Sequence, residues 1–457
     1  MTIHFSAISN KLKDWLSCTE NVLNISGPTE EQFAYVLAKT ILSTSDNAER
    51  DTLFIAPSSE IAQKIFFILE KALPSKRVYL LSSLDASIYQ PIYSSEKDFI
   101  KKIFCLANLT QNKSNIVITT CDSMFQKLPQ KSFFLDNFLE IHEGQEITPD
   151  ELAELLVEIG HHPAFTVEEP GSFSKKGEVF DVYPLNSSPI RIYFDDDFIE
   201  EIYELNLSTN KSNKSEKISN TVISPAPLIF TQDYFRKNLR SKIPVPAPAQ
   251  KEKYLLRKEI FESMSNNQLF DNYQHYFPLF FKEHVSILDY LNDPSVFVLD
   301  EFSCEQATLE FFESLRVTFE DTGQDNLLPN PTEIFWCQTD IQKKVFKKCS
   351  LHNLLRPETS GEIDLEVSLI SALSFLQKNV TKNQDQYTFI KDCFEFLKIS
   401  FLKKDGILIL GHQSESSLQE LKFLIDYEDL PEEIVSRVFF EKSSFSAGFY
   451  YKNENLL

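Results

Sequence analysis

Two stretches carry residue types suited to phosphate chemistry. In PSVFVLDEF, the pair Asp300-Glu301 closes an apolar run at 294–302. An acidic pair at the end of a strand can bind magnesium and orient water, as in a Walker B box. Such a box works only beside a glycine-rich phosphate loop, which needs glycine for positive φ and close backbone approach. The chain has only ten glycines. Gly27 stands alone in SGPTEEQF. Gly406 and Gly411 in GILILGHQ come nearest to phosphate-loop spacing, but Ile407 to Leu410 form an apolar strand, and His412-Gln413 stand where Lys-Ser/Thr is required. No GxGxxG occurs. The acidic pair therefore reads as a structural loop or a relic, and no catalytic or cofactor-binding residue is assigned.

Metal and nucleophile chemistry fare no better. Asp195-Asp196-Asp197 with Glu200 and Glu201 is dense in carboxylates, but it lacks the spacing and the glycine of a calcium loop. It reads as a wetted hairpin turn. His161-His162 are adjacent, with no second pair at zinc spacing, and read as loop residues. Seven scattered cysteines form no CxxC pair, and no GxSxG elbow is present. No metal ligand is assigned.

The strand PIRIYF offers something different. Ile190, Ile192 and Phe194 alternate with Arg191, Tyr193 and Asp195, so the two sets face opposite sides. The apolar set belongs in a core. A guanidinium, a phenol and a carboxylate on the other side suit protein contacts. Lys175 and Lys176 lie on the preceding strand, close enough to neighbour that face.

The elements that position these residues follow from periodicity. Leu53 to Ala56, RVYLL at 77–81 and NIVITT at 115–120 read as buried strands. Between them SEIAQKIFFILEKAL, with Ile61, Ile65, Ile68 and Leu69 at helical spacing, and KDFIKKIFCLANL read as helices. That alternation implies a mostly parallel sheet. Near residue 139 the period changes to two, after which one helix at TPDELAELLVEIG joins an antiparallel meander. The polar stretch 207–220 reads as a loop closing it. Beyond it, VPAPA at 245–249 is an extended connector, YLLRKEIFESM is helical, and PSVFVLDE carries a strand. After LLRPETSGE, a helix around VSLISALSFLQKN, the strand GILIL and the helix SSLQELKFLIDY form a small α/β unit. The chain stops at NENLL, directly after the strand-like GFYYK, which reads as an end set by design.

The chain has 457 residues, 42% hydrophobic and 25% charged, with a net charge of −22. This is a globular composition of about three domains. Its acidity argues against broad contact with a phosphate backbone. With no signal core and no membrane-length apolar run, the reading is a cytoplasmic protein with reduced thiols.

The meander carries a family resemblance. EPGSFSKKGEVFDVYPLNSSPIRIYFDDDFIEEIYELNLSTNKS resembles the module shared by UvrB and the transcription-repair coupling factor Mfd. The shared pattern falls on Gly171 to Phe173, Lys176-Gly177, Asp181 to Pro184, Arg191 to Phe194, Asp196-Asp197 and Thr209 to Ser212. SLDASIYQPIYSSEKDF, ISPAP and FDNYQHYFPLFFKE also look like Mfd segments. The resemblance extends over nearly the whole chain. UvrB fits less well, because it keeps an intact phosphate loop and a DNA-gripping hairpin.

The resemblance implies an α/β fold: a degenerate RecA-like, UvrB-like domain at 1–137 and 221–355, an inserted α+β UvrA-binding domain at 138–220, and a small α/β domain at 356–457. It implies a non-catalytic module that recruits UvrA to stalled RNA polymerase in transcription-coupled nucleotide excision repair. Contacts with polymerase and double-stranded DNA, and the ATP-driven translocase of the full-length family, would lie beyond Leu457. A nucleotide-dependent, UvrB-like DNA-remodelling enzyme is the alternative. Thr29-Glu30-Glu31 occupies the place where ATP-binding relatives have Gly-Lys-Thr, so no cofactor is expected. A monomer with no membrane contact is expected. The UvrA-facing positions carry over to Lys176, Arg191 and Asp195, with Tyr193 beside them. Lys176 replaces the usual Arg, and Asp195 replaces a usual aromatic, with Tyr193 or Phe198 as candidates to compensate. Arg191 is expected to be exposed near Lys176, so that its truncation leaves stability unchanged.

Overall fold

In the computed structural model, the described residues are 22–26, 29–38, 50–81, 96–247, 250–323, 327–344 and 348–352, the strand segments 363–366, 369–371, 408–412, 437–442 and 449–451, and positions 396, 397, 402, 416 and 419. Strand β1 (Val22–Ser26) precedes helix α1 (Glu30–Leu37), and β2 (Thr52–Ala56) precedes α2 (Ser59–Ala72). β3 (Arg77–Leu81), α3 (Glu96–Gln111) and β4 (Asn115–Thr120) follow. Every residue of β2 and β4 is buried. A strand covered on both faces has no reason to alternate, which is why these read as continuous apolar runs. Ser58 caps α2 through the Ile61 amide, and Ala62, Ile65, Ile68 and Leu69 are its buried stripe.

The chain then leaves this sheet. Helix α4 (Lys131–Asn137) leads to β5 (Leu139–His142), α5 (Pro149–Glu158), β6 (His162–Pro163), β7 (Ser172–Lys176), β8 (Val179–Val182), β9 (Ile190–Asp195), β10 (Phe198–Asn206), β11 (Lys211–Lys217) and β12 (Asn220–Ile223). β6 to β11 form one sheet in sequence order, antiparallel from β7 onward. β5 and β12 pair with each other, Leu139 opposite Ile223, so the segments leading into and out of this unit are zipped together. Its core is separate from those of the parallel sheet and includes Leu152, Leu156, Phe173, Phe180, Ile190, Ile192 and Phe194.

Helices α6 (Asp233–Lys242) and α7 (Lys251–Ser265) bring the chain back to the first sheet. β13 (Ser295–Val298) inserts beside β2, and α8 (Glu301–Thr318), β14 (Lys348–His352) and β15 (Ile363–Glu366) complete it. The parallel sheet has the order β15-β1-β14-β13-β2-β4-β3. One face packs on α1 and α2, the other on α3, α8 and a wholly buried turn at Tyr273–Phe280. There Phe230 lies 4.8 Å from Phe280 in a stacked pair, with Phe133, Phe235, Phe277 and Phe281 around it. The architecture is α/β, a parallel sheet covered on both faces and interrupted by an α+β unit.

Two expectations are corrected. The stretch 207–220 contains strand β11, paired to β10 through Asn206↔Lys211 and Leu205↔Ser212. An edge strand bonds on one side only, so a polar run with three lysines can serve, and lysines blunt the open edge against further pairing. Within the expected helix at 367–379, Leu369–Ser371 form β16, paired antiparallel to β19 (Phe449–Tyr451). A short apolar run does not by its period distinguish helix from strand. Between them β17 (Leu408–His412) pairs in parallel with β18 (Val438–Lys442). The remainder of the small terminal α/β unit, apart from positions 396, 397, 402, 416, 419 and 437, lies outside the described residues, and with it most of the helix expected at 416–427. No helix among the described residues is long and apolar enough to cross a membrane.

Candidate protein-interaction face

The meander presents one buried and one outward face. Ile190, Ile192 and Phe194 point into the core, and Arg191 and Tyr193 point out. Two tight turns fix the register. Gly177 takes φ +65° between β7 and β8, a left-handed conformation that costs glycine little. Asp196 takes φ +51° between β9 and β10, and the Asp197 carbonyl accepts from the Ile147 amide. The acidic cluster is thus a hairpin turn, with aspartate among the side chains that tolerate this conformation.

Register sets the rows of the outward face. Ser174, Asp181, Arg191 and Tyr203 form one row across four strands. Lys176, Val179, Tyr193 and Glu201 form the next. Arg191 sits at the centre of the first row and is held there. Its Nε donates to Asp181 Oδ1 at 2.6 Å and its Nη2 to Asp181 Oδ2 at 2.8 Å. Its Nη1 and Nη2 donate to the carbonyl and Oδ1 of Asn210, at 3.2 and 2.8 Å. The Arg191 side chain is 15% exposed and that of Asp181 6%. The hydrogen-bonded Asp181 carboxylate raises the Arg191 pKa above its ordinary value.

This overturns the expectation of an exposed Arg191 beside Lys176. A planar fork meets a carboxylate across the β8–β9 pair, and the bidentate match draws the guanidinium down onto the sheet. Lys176 is a row away and neighbours Tyr193 through Val179. Tyr193 is half-buried. Its hydroxyl lies 3.1 Å from Ser212 Oγ, and its ring meets that of Tyr203 edge-on at 6.1 Å. Asp195 is exposed at the far end of β9, so it does not join the Arg191 row. Phe198, across the turn from it, is half-exposed. Lys175 points to the opposite side and pairs with Asp150 of α5 at 2.5 Å.

Asp181 and Asn210 lie within the shared pattern but were given no role from the sequence, and Tyr203 was not singled out. Asp181 could have been found, because two-residue alternation from Val182 places it outward. Asn210 lies on the β10–β11 connection, which had no strand signal. Phe165 was missed too, and it had none: it is a lone aromatic in a loop, 88% exposed, with Lys176 Nζ 4.8 Å from its ring centroid.

Of the two histidines read as loop residues, His161 lies outside any helix or strand and His162 does not. His161 is buried, and its Nε2 donates to the Ser224 carbonyl at 3.0 Å. Burial pushes its pKa down to about 4, so it stays neutral and structural. His162 is in β6 and lies 3.5 Å from Glu169.

In the parallel sheet, Thr29, Asp300 and Glu301 each have partners of their own. Thr29 caps α1 in a capping box, its amide donating to Gln32 Oε1 at 3.1 Å. Asp300, at φ +56°, caps α8 and accepts from Ser303 Oγ at 2.5 Å. Glu301 pairs with Lys348. A cavity of about 400 Å³ beside them is lined by Ile55, Cys121, Cys304 and Thr308, among others.

The chain is similar in sequence to known proteins. Residues 139–228 match the UvrB interaction domain, which is the unit bounded by β5 and β12. The transcription-repair-coupling factor of Rickettsia bellii is 26% identical over 403 residues, covering 85% of this chain and 33% of that protein. The one from Bacillus subtilis is 26% identical over 310 residues, 65% of this chain and 26% of that protein. The one from Staphylococcus haemolyticus is 21% identical over 422 residues, 90% of this chain and 35% of that protein. The chain spans about a third of the length of the curated relatives it matches. The domain match and the length of the similarity make the chain similar to the N-terminal region of the transcription-repair coupling factor Mfd.

Proposed function

We propose that this chain is a non-catalytic module of transcription-coupled repair that binds UvrA through the outward face of the β7–β11 sheet and so brings UvrA to stalled RNA polymerase. The observation that carries this reading is the pre-ordered outward face, with Arg191 fixed by Asp181 and Asn210 at its centre and Lys176 and Tyr193 beside it, on a unit that matches the UvrB interaction domain. A guanidinium and aromatic rings set on a rigid sheet bind a partner without first losing side-chain freedom. Lys176, Arg191, Tyr193 and Asp195 are the residues proposed to meet UvrA.

The division into a RecA-like domain in two pieces, an inserted domain and a small terminal domain is part of this reading, with the second junction moved from 220 to 223 because β12 pairs with β5. Polymerase, double-stranded DNA and ATP-driven translocation belong, on this reading, to parts of the family outside this chain. The protein is read as a cytoplasmic monomer. Calorimetry of the whole chain with UvrA tests the proposal, and a complex of micromolar or tighter affinity is expected. ATP titration tests the enzyme alternative. A micromolar dissociation constant lost on mutating Thr29-Glu30-Glu31 would establish a nucleotide site and sink the non-catalytic reading.

A further inference from the structure

Phe165 has the greatest exposure of the large apolar side chains among the described residues, 88%. Single exposed apolar residues are ordinary, but this one is held in place. The Ala164 amide donates to the Phe173 carbonyl at 2.7 Å, and Ser174 Oγ donates to the Phe165 carbonyl at 2.9 Å. Ser172 Oγ donates to the Glu169 carbonyl at 2.6 Å, tying down the other end of the loop. The ring is therefore presented by fixed backbone at the β7 edge of the outward face. Lys176 Nζ sits 4.8 Å from the ring centroid, and no carboxylate pairs with it among the described residues.

A ring and an ammonium side by side, each without an intramolecular partner of its own kind, fit a pocket that is apolar with a carboxylate at its rim. Such a pocket would desolvate the pair and strengthen the cation–π contact. At the other end of the face, Asp195 stands where the family resemblance places an aromatic, so the hairpin end lacks that anchor. We propose that Phe165, together with Lys176, is the apolar anchor of this face for UvrA. The anchor thus moves from the end of β9 to the loop before β7. This rests on the reading that the outward face binds UvrA.

The test is calorimetry of the whole chain with UvrA, using wild type, Phe165→Ser, Lys176→Gln and Phe198→Ser. Aromatic anchors buried in a partner's pocket carry much of an interface's binding energy, so Phe165→Ser should weaken the complex at least about tenfold. Its urea midpoint should stay at the wild-type value, because the ring buries almost nothing in the free protein. Lys176→Gln should weaken binding less, and the double variant should lose less than the two single losses combined. Phe198→Ser should bind within about twofold, as expected of a rim position. If wild type binds UvrA and Phe165→Ser binds equally well, the anchor is refuted while the face stands. The anchor is likewise refuted if Phe198→Ser loses as much as Phe165→Ser. If wild type fails to bind UvrA, the reading of the face falls, and the anchor with it.

Discussion

Replacing Arg191 by Ala removes the guanidinium that makes two hydrogen bonds to Asp181, at 2.6 and 2.8 Å, and two more to Asn210. Asp181 cannot turn to water, since its side chain is 6% exposed and lies between β7 and β9. The variant leaves a carboxylate buried and unpaired. Breaking a buried pair from one side costs about 3–5 kcal/mol. The Arg191 side chain is 15% exposed, so water can enter the space it leaves, and the expected loss is at or just below the lower end of that range, about 2–3 kcal/mol. The cost of the variant is thus chiefly an orphaned acid.

That origin can be separated from simple loss of contact. Arg191→Ala, Asp181→Ala and the double variant form a cycle measured by urea unfolding. Because the double variant has no orphaned charge, its destabilisation should be at least about 1 kcal/mol smaller than the sum of the singles. UvrA affinity measured on the same variants should fall for Arg191→Ala, and it should stay low in the double variant even as stability returns. A stability change within about 0.5 kcal/mol for Arg191→Ala, the range of ordinary surface substitutions, would refute the claim that the pair is structural. An additive cycle would refute its mechanism.

Three further outcomes are expected. Ile192→Ala opens a cavity in the inserted core, where the residue is fully buried, and should cost about 2–4 kcal/mol in urea unfolding. Gly160→Ala should disrupt the unit, because a Cβ there would lie 2.2 Å from the Ile229 amide nitrogen on a backbone at φ +89°; circular dichroism melting should show a loss larger than the roughly 1 kcal/mol typical of a point change. Lys102 is buried in α3 with its Nζ donating to Gln126 Oε1 at 2.7 Å and His275 nearby, and burial lowers its pKa to about 7. The unfolded chain, near 10.5, then binds the extra proton between those values, so stability should rise with pH from about 7 to about 10.5 by up to about 1.4 kcal/mol per pH unit. Lys102→Met should remove that rise, and identical pH slopes for the two proteins would refute the assignment.

Legibility in the sequence followed the physics of each element. β2 and β4 were readable because burial on both faces demands unbroken apolar runs, and β9 because one wet face demands alternation. β11 was not, because KSNKSEK is held by backbone bonds to β10 and its side chains say nothing about pairing. The Arg191 row shows the limit most clearly. Alternation placed Arg191 on the correct face, but whether it is free depends on which residue stands opposite. That partner, Asp181, is set by the register of β8 against β9, across a seven-residue connection from Tyr183 to Pro189. Phe165 is exposed by the path of its loop, and a path leaves no period.

On the proposed non-catalytic reading, the parallel sheet is the scaffold of a nucleotide site whose residues serve the fold. A helix N-terminus after a strand offers free amides to a phosphate, but α1 turns its own Thr29 and Gln32 onto that end. Two glutamates in its first turn add negative charge, which stabilises the helix dipole and repels a phosphate. Asp300 and Glu301 follow strand β13, and each has a structural partner, one in the cap of α8 and one in Lys348. Every one of these contacts favours the fold. If the non-catalytic reading holds, conferring ATP binding would require more than inserting a lysine: the capping box and the Glu301–Lys348 pair would have to be undone as well, at a cost to the helices they hold.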